Sequence, residues 1–269
     1  MTWIAAVVGT VLACAVAAPA GAAPPAVTRC SELAVDGRVE GIDLGSHLWV
    51  DVDCHLTDVV VRGTVYSYEG ATLTSERVRV HEGLYLRGDA QLRDTVVGWV
   101  SLDPPANLSV ESSTVRGSVV GRAGSVSLRY ARVSGDYDVT TSDIARLQST
   151  TVAGSTTTRG GRLVVHDSTF LGTLHSIGNG DVLVCRAAVL GDLRVEALTD
   201  YARLGVEGRQ FCRSEIRGSV ILEDNPHSID LGPLYIYGDL VCTGNTGPRG
   251  ITGLGEGWLF GVAVGQCRP

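Results

Sequence analysis

The sequence predicts an all-β chain folded as a single-domain parallel β-helix, a solenoid with 18–19 residues per coil and disulfide-tied ends. Three observations predict it. A glycine-centred unit recurs along most of the chain, apolar residues alternate with period two around each glycine, and the cysteines past residue 22 are even in number.

The unit reads Ser113-Thr-Val-Arg-Gly117-Ser-Val119, then Ala131-Arg-Val-Ser-Gly135-Asp-Tyr137, Thr150-Thr-Val-Ala-Gly154-Ser-Thr156 and Ser168-Thr-Phe-Leu-Gly172-Thr-Leu174. Ala187-Ala-Val-Leu-Gly191-Asp-Leu193, Ser214-Glu-Ile-Arg-Gly218-Ser-Val220 and Leu234-Tyr-Ile-Tyr-Gly238-Asp-Leu240 continue it, and Asp94-Thr-Val-Val-Gly98 precedes it. Glycines from 98 to 191 are spaced 19, 18, 19, 18 and 19, then 27 across an insertion, then 20. Such fixed spacing is the mark of a repeat architecture.

Positions −4, −2 and +2 from each glycine are small or apolar, while −3, −1 and +1 are mostly polar. A second apolar pair sits nine and seven residues before the glycine: Leu108/Val110, Val126/Leu128, Ala145/Leu147, Leu163/Val165, Val182/Val184 and Ile229/Leu231, with Leu204/Val206 in the stretched repeat. Period two means strands with one buried face. Hairpin turn pairs are nearly absent, Asn179-Gly180 being the lone Asn-Gly, which argues against antiparallel hairpins. Short strands that stack coil on coil satisfy both facts. The apolar offsets do not form six-residue steps, and parallel crossovers prefer one hand, so a right-handed helix is expected. Glycine marks a crowded or bent strand position, and the small residue at −4 suits an inward column near a corner.

The flanks divide the chain. Residues 1–22 read as a secretory signal peptide: an apolar run from Trp3 to Ala18, broken by Gly9 and Thr10, then the small residues Ala20, Gly21 and Ala22, although no basic residue precedes the run. Lipidation at Cys14 is the alternative. Residues 23–54 form an N-terminal extension and cap, 55–242 the β-helix and 243–269 a C-terminal cap. No later segment is long and apolar enough to span a bilayer.

Six cysteines remain: Cys30, Cys54, Cys185, Cys212, Cys242 and Cys267. In an exported chain this predicts three disulfides. Cys185 and Cys212 each lie six residues before a repeat glycine, hence in one column of neighbouring coils about 4.8 Å apart, where a bridge would fasten the residues inserted around Tyr201. Cys30 with Cys54 and Cys242 with Cys267 would close the two ends. Spacing leaves other connectivities open.

With the repeat and the signal segment, the tail Cys242-Thr-Gly-Asn245 followed by Gly265-Gln266-Cys267 resembles a group of secreted actinobacterial proteins expected to be parallel β-helices. The resemblance implies an exported solenoid and no activity. The coil period is also similar to that of bactofilins, cytoskeletal β-helices that polymerise end to end, but the signal segment and cysteines depart from that family.

Chemistry is sparse. A net charge of −7 excludes nucleic acid as the main partner. None of His47, His55, His81, His166, His175 and His227 falls in a metal-binding spacing, and no P-loop, dinucleotide fingerprint or G-x-S-x-G elbow occurs, so no cofactor, metal or catalytic residue is assigned. The outward +1 column (Ser118, Asp136, Ser155, Thr173, Asp192, Ser219, Asp239) reads as a solubilising face. Asp136 and Asp138 are the closest acidic pair, and two carboxylates underfill a calcium shell. Tyr235 and Tyr237, outward at −3 and −1, offer a small aromatic platform or pack under the C-terminal cap; Trp99 sits at +1 and Trp258 in that cap. The reading is a secreted, non-enzymatic scaffold or surface-interaction protein, its partner an extracellular polysaccharide or cell-surface component. A polysaccharide-binding or polysaccharide-degrading solenoid is the alternative, and a self-assembling one the third.

Overall fold

The computed structural model describes residues 27–208, 210–253 and 257–268. The signal segment and Cys14 lie outside them. The chain is a parallel β-solenoid of about 12 turns, with three strands per full turn stacked into three parallel sheets. Around one turn the first sheet takes Leu108–Glu111, the second Thr114–Val115, and the third the start of Val119–Arg129. Each pairs in parallel with its equivalent one turn away, as in Leu108↔Val126, Val115↔Val133 and Val119↔Tyr137.

The alternation read from the sequence is the burial pattern of the core. Val115, Val133, Val152, Phe170 and Val189 at −2 are buried, as are Val119, Tyr137, Thr156, Leu174 and Leu193 at +2. The −9/−7 pairs from Leu108/Val110 to Val182/Val184 are also buried. One continuous cluster results, running from Cys30 to Cys267.

Crowding explains the repeat glycine. A Cβ on Gly172 would stand 2.7 Å from the Gly154 carbonyl oxygen and 2.9 Å from its carbon; Gly191, Gly218 and Gly238 meet the preceding glycine equally closely. The +1 side chain fits into the gap. Ser118 Oγ accepts the Asp136 N–H (3.1 Å), Asp136 Oδ1 the Ser155 N–H (2.8 Å), Asp192 Oδ1 the Ser219 N–H (2.8 Å), Ser219 Oγ the Asp239 N–H (3.0 Å) and Asp239 Oδ1 the Val262 N–H (3.0 Å). This column, expected to be a solubilising face, is exposed or half-buried, and its oxygens also accept backbone N–H groups of the next turn at the corner.

The −4 column is inward and small, as predicted, and its hydroxyls act in the same way. Ser113 Oγ accepts the Thr95 N–H, Ser168 Oγ the Thr150 N–H and Ser214 Oγ the Ala187 N–H. The residue before it turns the chain in the left-handed region, from Asp58 and Arg77 through Ser112, Tyr130 and Ser149 to Asp167 and Arg186, all at φ near 50°. Each donates its N–H to the next turn, Ser112 to Arg129 O and Tyr130 to Gln148 O.

All three expected disulfides are present: Cys30–Cys54, Cys185–Cys212 and Cys242–Cys267. The insertion is not around Tyr201. Asp181 pairs with Tyr201, 20 residues on, but Ala188 pairs with Glu215, 27 on, so most of the extra chain follows Leu204. It forms a small antiparallel hairpin, Val206–Glu207 with Gln210–Phe211. The buried pair of that turn is accordingly Ala202/Leu204, and Val206 belongs to the hairpin. Cys185 and Cys212 pack beneath it with Val164 and Leu183, outside the main core.

The cap boundaries also move. Val27–Arg29 pairs with His47–Trp49, and Ala263–Gly265 pairs with Leu240–Cys242, so turns of the solenoid continue into both 23–54 and 243–269. Toward the N-terminal end a helical turn, Cys30–Leu33, places Leu33 and Ala34 against the core. At the other end, the tail motif forms an amide ladder. Gln266 Oε1 accepts the Asn245 N–H (2.8 Å), Asn245 Oδ1 accepts from Asn225 Nδ2 (2.8 Å), and Asn225 Oδ1 accepts the Leu198 N–H (3.1 Å).

Candidate functional site

Some outward groups of the solenoid are not used for its own backbone. The third sheet carries an outward column that runs Arg29, Trp49, Tyr66, Tyr85 and then Ser101. Strand alternation places these side chains outside because Leu48, Val65 and Leu84 point in and are fully buried. Tyr68, two residues beyond Tyr66 on the same face, is exposed.

Together with Val27, His47, Ser67 and Arg87 these rings line a groove of about 440 Å³, within the range of small-ligand sites. The rings are inclined to one another: Trp49 to Tyr68 at 73° and 5.6 Å, His47 to Tyr66 at 63° and 5.9 Å, Tyr66 to Tyr85 at 48° and 6.3 Å. At the rim, Arg87 Nε pairs with Asp103 Oδ2 at 3.1 Å, and the Tyr85 hydroxyl donates to the same oxygen at 3.3 Å. The Arg29 guanidinium lies 5.8 Å from the Trp49 ring centre. His47 is held by its fold position, its Nδ1 accepting the Thr64 N–H at 2.9 Å.

Tyr235 and Tyr237, expected to form a small platform or to pack under the C-terminal cap, lie against aromatic residues of that cap. Tyr235 stacks on Trp258 (6.3 Å, 22°) and Tyr237 on Phe260 (4.9 Å, 14°). Arg217 covers Tyr237 on the ring at 4.8 Å, and Arg213 lies 5.9 Å from Tyr235. The two tyrosines are thus members of stacked columns, and the open rings are Trp258 and Phe260 on the last turn. Asp136 and Asp138 are not joined in one site: Asp136 serves the Ser155 N–H, while Asp138 pairs with Arg159. Trp99 lies flat over Gly83, with its Cγ 2.8 Å from where a Cβ would stand.

Carboxylates elsewhere are similarly engaged. A polar hollow of about 210 Å³ on the first sheet holds His55, Gln91 and Ser109, but its Glu76 pairs with Arg77 and its Glu111 with Arg93. Side-chain hydrogen bonds from Arg62, Arg77 and Arg186 hold Asp43, Asp58 and Asp167 below the ordinary carboxylate value. Among the described residues, His166, Cys185 and Glu207 bring three donor atoms within 4.8 Å. The sulfur there is bonded to Cys212, so no thiolate is available to a metal.

The chain matches no protein-family model, no curated protein and no solved structure. Of the expected resemblance to secreted actinobacterial proteins, the parallel β-helix solenoid is shown, and no family match supports the rest.

Proposed function

We propose that the chain is an exported, non-enzymatic surface-interaction protein that binds polysaccharide in the aromatic groove at the N-terminal end of the third sheet. The observation that carries this reading is the groove lined by Trp49, Tyr66, Tyr68 and Tyr85, whose rings are inclined to one another and partly exposed to it. Pyranose C–H faces pack on such rings, and sugar hydroxyls complete the hydrogen bonding of Arg87 and Asp103 at the rim. Three disulfides favour an oxidising compartment, which supports export. The ion-paired or backbone-capping state of Asp136, Asp138, Glu76 and Glu111 supports binding without cleavage, since a general acid or base needs a free carboxyl beside the bond.

The test is binding of the disulfide-intact chain to a polysaccharide array, with reducing-end and unsaturated-product assays on every bound polymer. Trp49→Ala and Tyr68→Ala, both outward, are expected to weaken binding about tenfold or more while leaving the circular dichroism unchanged. Absence of binding across the array, or binding indifferent to Trp49→Ala, overturns the site. Product release overturns the non-enzymatic reading.

A further inference from the structure

The two ends of the solenoid differ. Toward the N-terminal end the Cys30–Leu33 turn places Leu33 and Ala34 against the core. At the C-terminal end Leu259 occupies an inward position, pairing with buried Ile236, yet is 38% exposed. Around it Trp258, Phe260 and Val262 are 64%, 60% and 60% exposed. An apolar hollow of about 310 Å³ opens beside them, floored by Leu234, Ile236, Leu240 and Ala263. Ile251–Thr252, Trp258–Leu259 and Ala263–Gly265 each pair on one side only among the described residues, so three strand edges face outward together.

We propose that this end binds a second copy of the chain, tail to tail, giving a closed dimer with one N-terminal groove at each extremity. Two features select that occupant. The Tyr237–Phe260 centroid distance of 4.9 Å matches the spacing of stacked strands, about 4.8 Å, so the ring normals follow the solenoid axis and Phe260 presents an open face along it. A twofold perpendicular to the solenoid axis brings the apolar end face against its own counterpart, and it sets the strand edge that crosses the twofold antiparallel to its own copy while the other two edges face each other's copies, the arrangement of an isologous interface. At the other end Leu33 and Ala34 pack against the core, but Val27–Arg29, Arg38–Glu40 and Asp43–Leu44 also pair on one side only among the described residues, so a mass that stops at two chains is what distinguishes the tail-to-tail dimer from a head-to-tail stack.

The size is adequate. An aromatic side chain offers about 200 Å², so Trp258 and Phe260 alone leave about 250 Å² of ring surface in water on each copy. Leu259, Val262 and the end face add to this, toward the about 800 Å² that each partner of a standard interface buries. The stacked columns above the end acquire a role as well. Arg217, Tyr237 and Phe260, like Arg213, Tyr235 and Trp258, brace the terminal rings from behind.

Sedimentation equilibrium and light scattering on the disulfide-intact chain are expected to give twice the chain mass at micromolar concentration. The double variant Trp258→Glu/Phe260→Glu, on exposed side chains, is expected to give the single mass with an unchanged circular dichroism spectrum. Trp49→Ala is expected to leave the dimer intact, which separates this interface from the groove. A monomer at about 100 μM (a Kd weaker than about −5.5 kcal/mol supports), a mass that keeps growing with concentration, or a dimer indifferent to the double variant overturns the proposal. If the double variant is unfolded, Val262→Glu repeats the test with the aromatic columns left in place.

Discussion

Replacing Gly172 by alanine tests the packing rule of the solenoid. The new methyl would stand 2.7 Å from the Gly154 carbonyl oxygen, 2.9 Å from its carbon and 3.0 Å from Ser155 N, all of them backbone atoms of the preceding turn. Ordinary contact begins near 3.4 Å, so the turns must part by about 0.7 Å. The neighbouring Leu171 N–H to Val152 O bond, 2.9 Å long, would then stretch to about 3.6 Å, beyond hydrogen-bonding range. One lost hydrogen bond at about 1 kcal/mol and overpacking at 1–3 kcal/mol give a destabilisation of about 2–4 kcal/mol. Gly45 is the control: nothing lies within 4 Å of its Cβ position and its φ is not in the left-handed region, so Gly45→Ala is expected to be neutral or stabilising by about 0.5 kcal/mol. Urea unfolding followed by far-ultraviolet circular dichroism, with disulfides intact, measures both. A Gly172→Ala variant within about 0.5 kcal/mol of the parent would refute the crowding account.

Two further predictions concern buried and surface groups. Tyr137 is fully buried, its hydroxyl has no hydrogen-bond partner, and burial pushes its pKa well above the ordinary 10.0, so Tyr137→Phe is expected to raise stability by about 1 kcal/mol in the same urea titration; a loss of stability would show that the hydroxyl is satisfied. Asp43, Asp58 and Asp167 have folded pKa values lowered beneath 3.8 by their arginine partners, so their contribution is present above that value and is lost as pH falls through the folded values; melting temperature is expected to drop below about pH 4, and a flat profile down to about pH 2 would contradict it.

What the sequence made legible is what repeats at fixed spacing. The inward columns, the small −4 position and the glycine all follow from one period. The disulfides followed because Cys185 and Cys212 share a column. What escaped is what breaks or hides that period. Upstream of Gly98 the marker is gone: Glu82 backbone lies against Gly98, and the register shifts between Val97 and Trp99. The outward column of Tyr85, Tyr66 and Trp49 lies upstream of that glycine and so carries no marker, although its spacings of 19 and 17 residues fit the coil. The left-handed corner was invisible because its occupants, among them Ser112, Tyr130 and Arg186, share no chemistry. Only their common position one residue before the small column could have marked it. The inserted hairpin was misplaced for a related reason: Leu204-x-Val206 imitates the apolar pair that Ala202 and Leu204 in fact supply.

The same regularity decides where function can reside. In the middle turns a +1 oxygen such as Asp136 Oδ1 or Asp192 Oδ1 accepts the N–H of the turn above, and outward acids such as Asp138 and Asp167 pair with Arg159 and Arg186. A side chain drawn from these columns to meet a ligand would leave a backbone donor or a cation without its partner, at a cost of about 1–3 kcal/mol each for those that are buried. The ends are free of this constraint. At the first turns the third-sheet column carries Trp49, Tyr66 and Tyr85, whose rings serve no backbone group, and at the last described turn Trp258 and Phe260 have no turn above them among the described residues. A ligand groove at one end and an association face at the other are where a stack of mutually satisfied turns leaves chemistry available. If the last turn joins two copies, the grooves lie at opposite extremities of one rigid rod, where a long polymer or a surface can engage both and gain in avidity over a single groove.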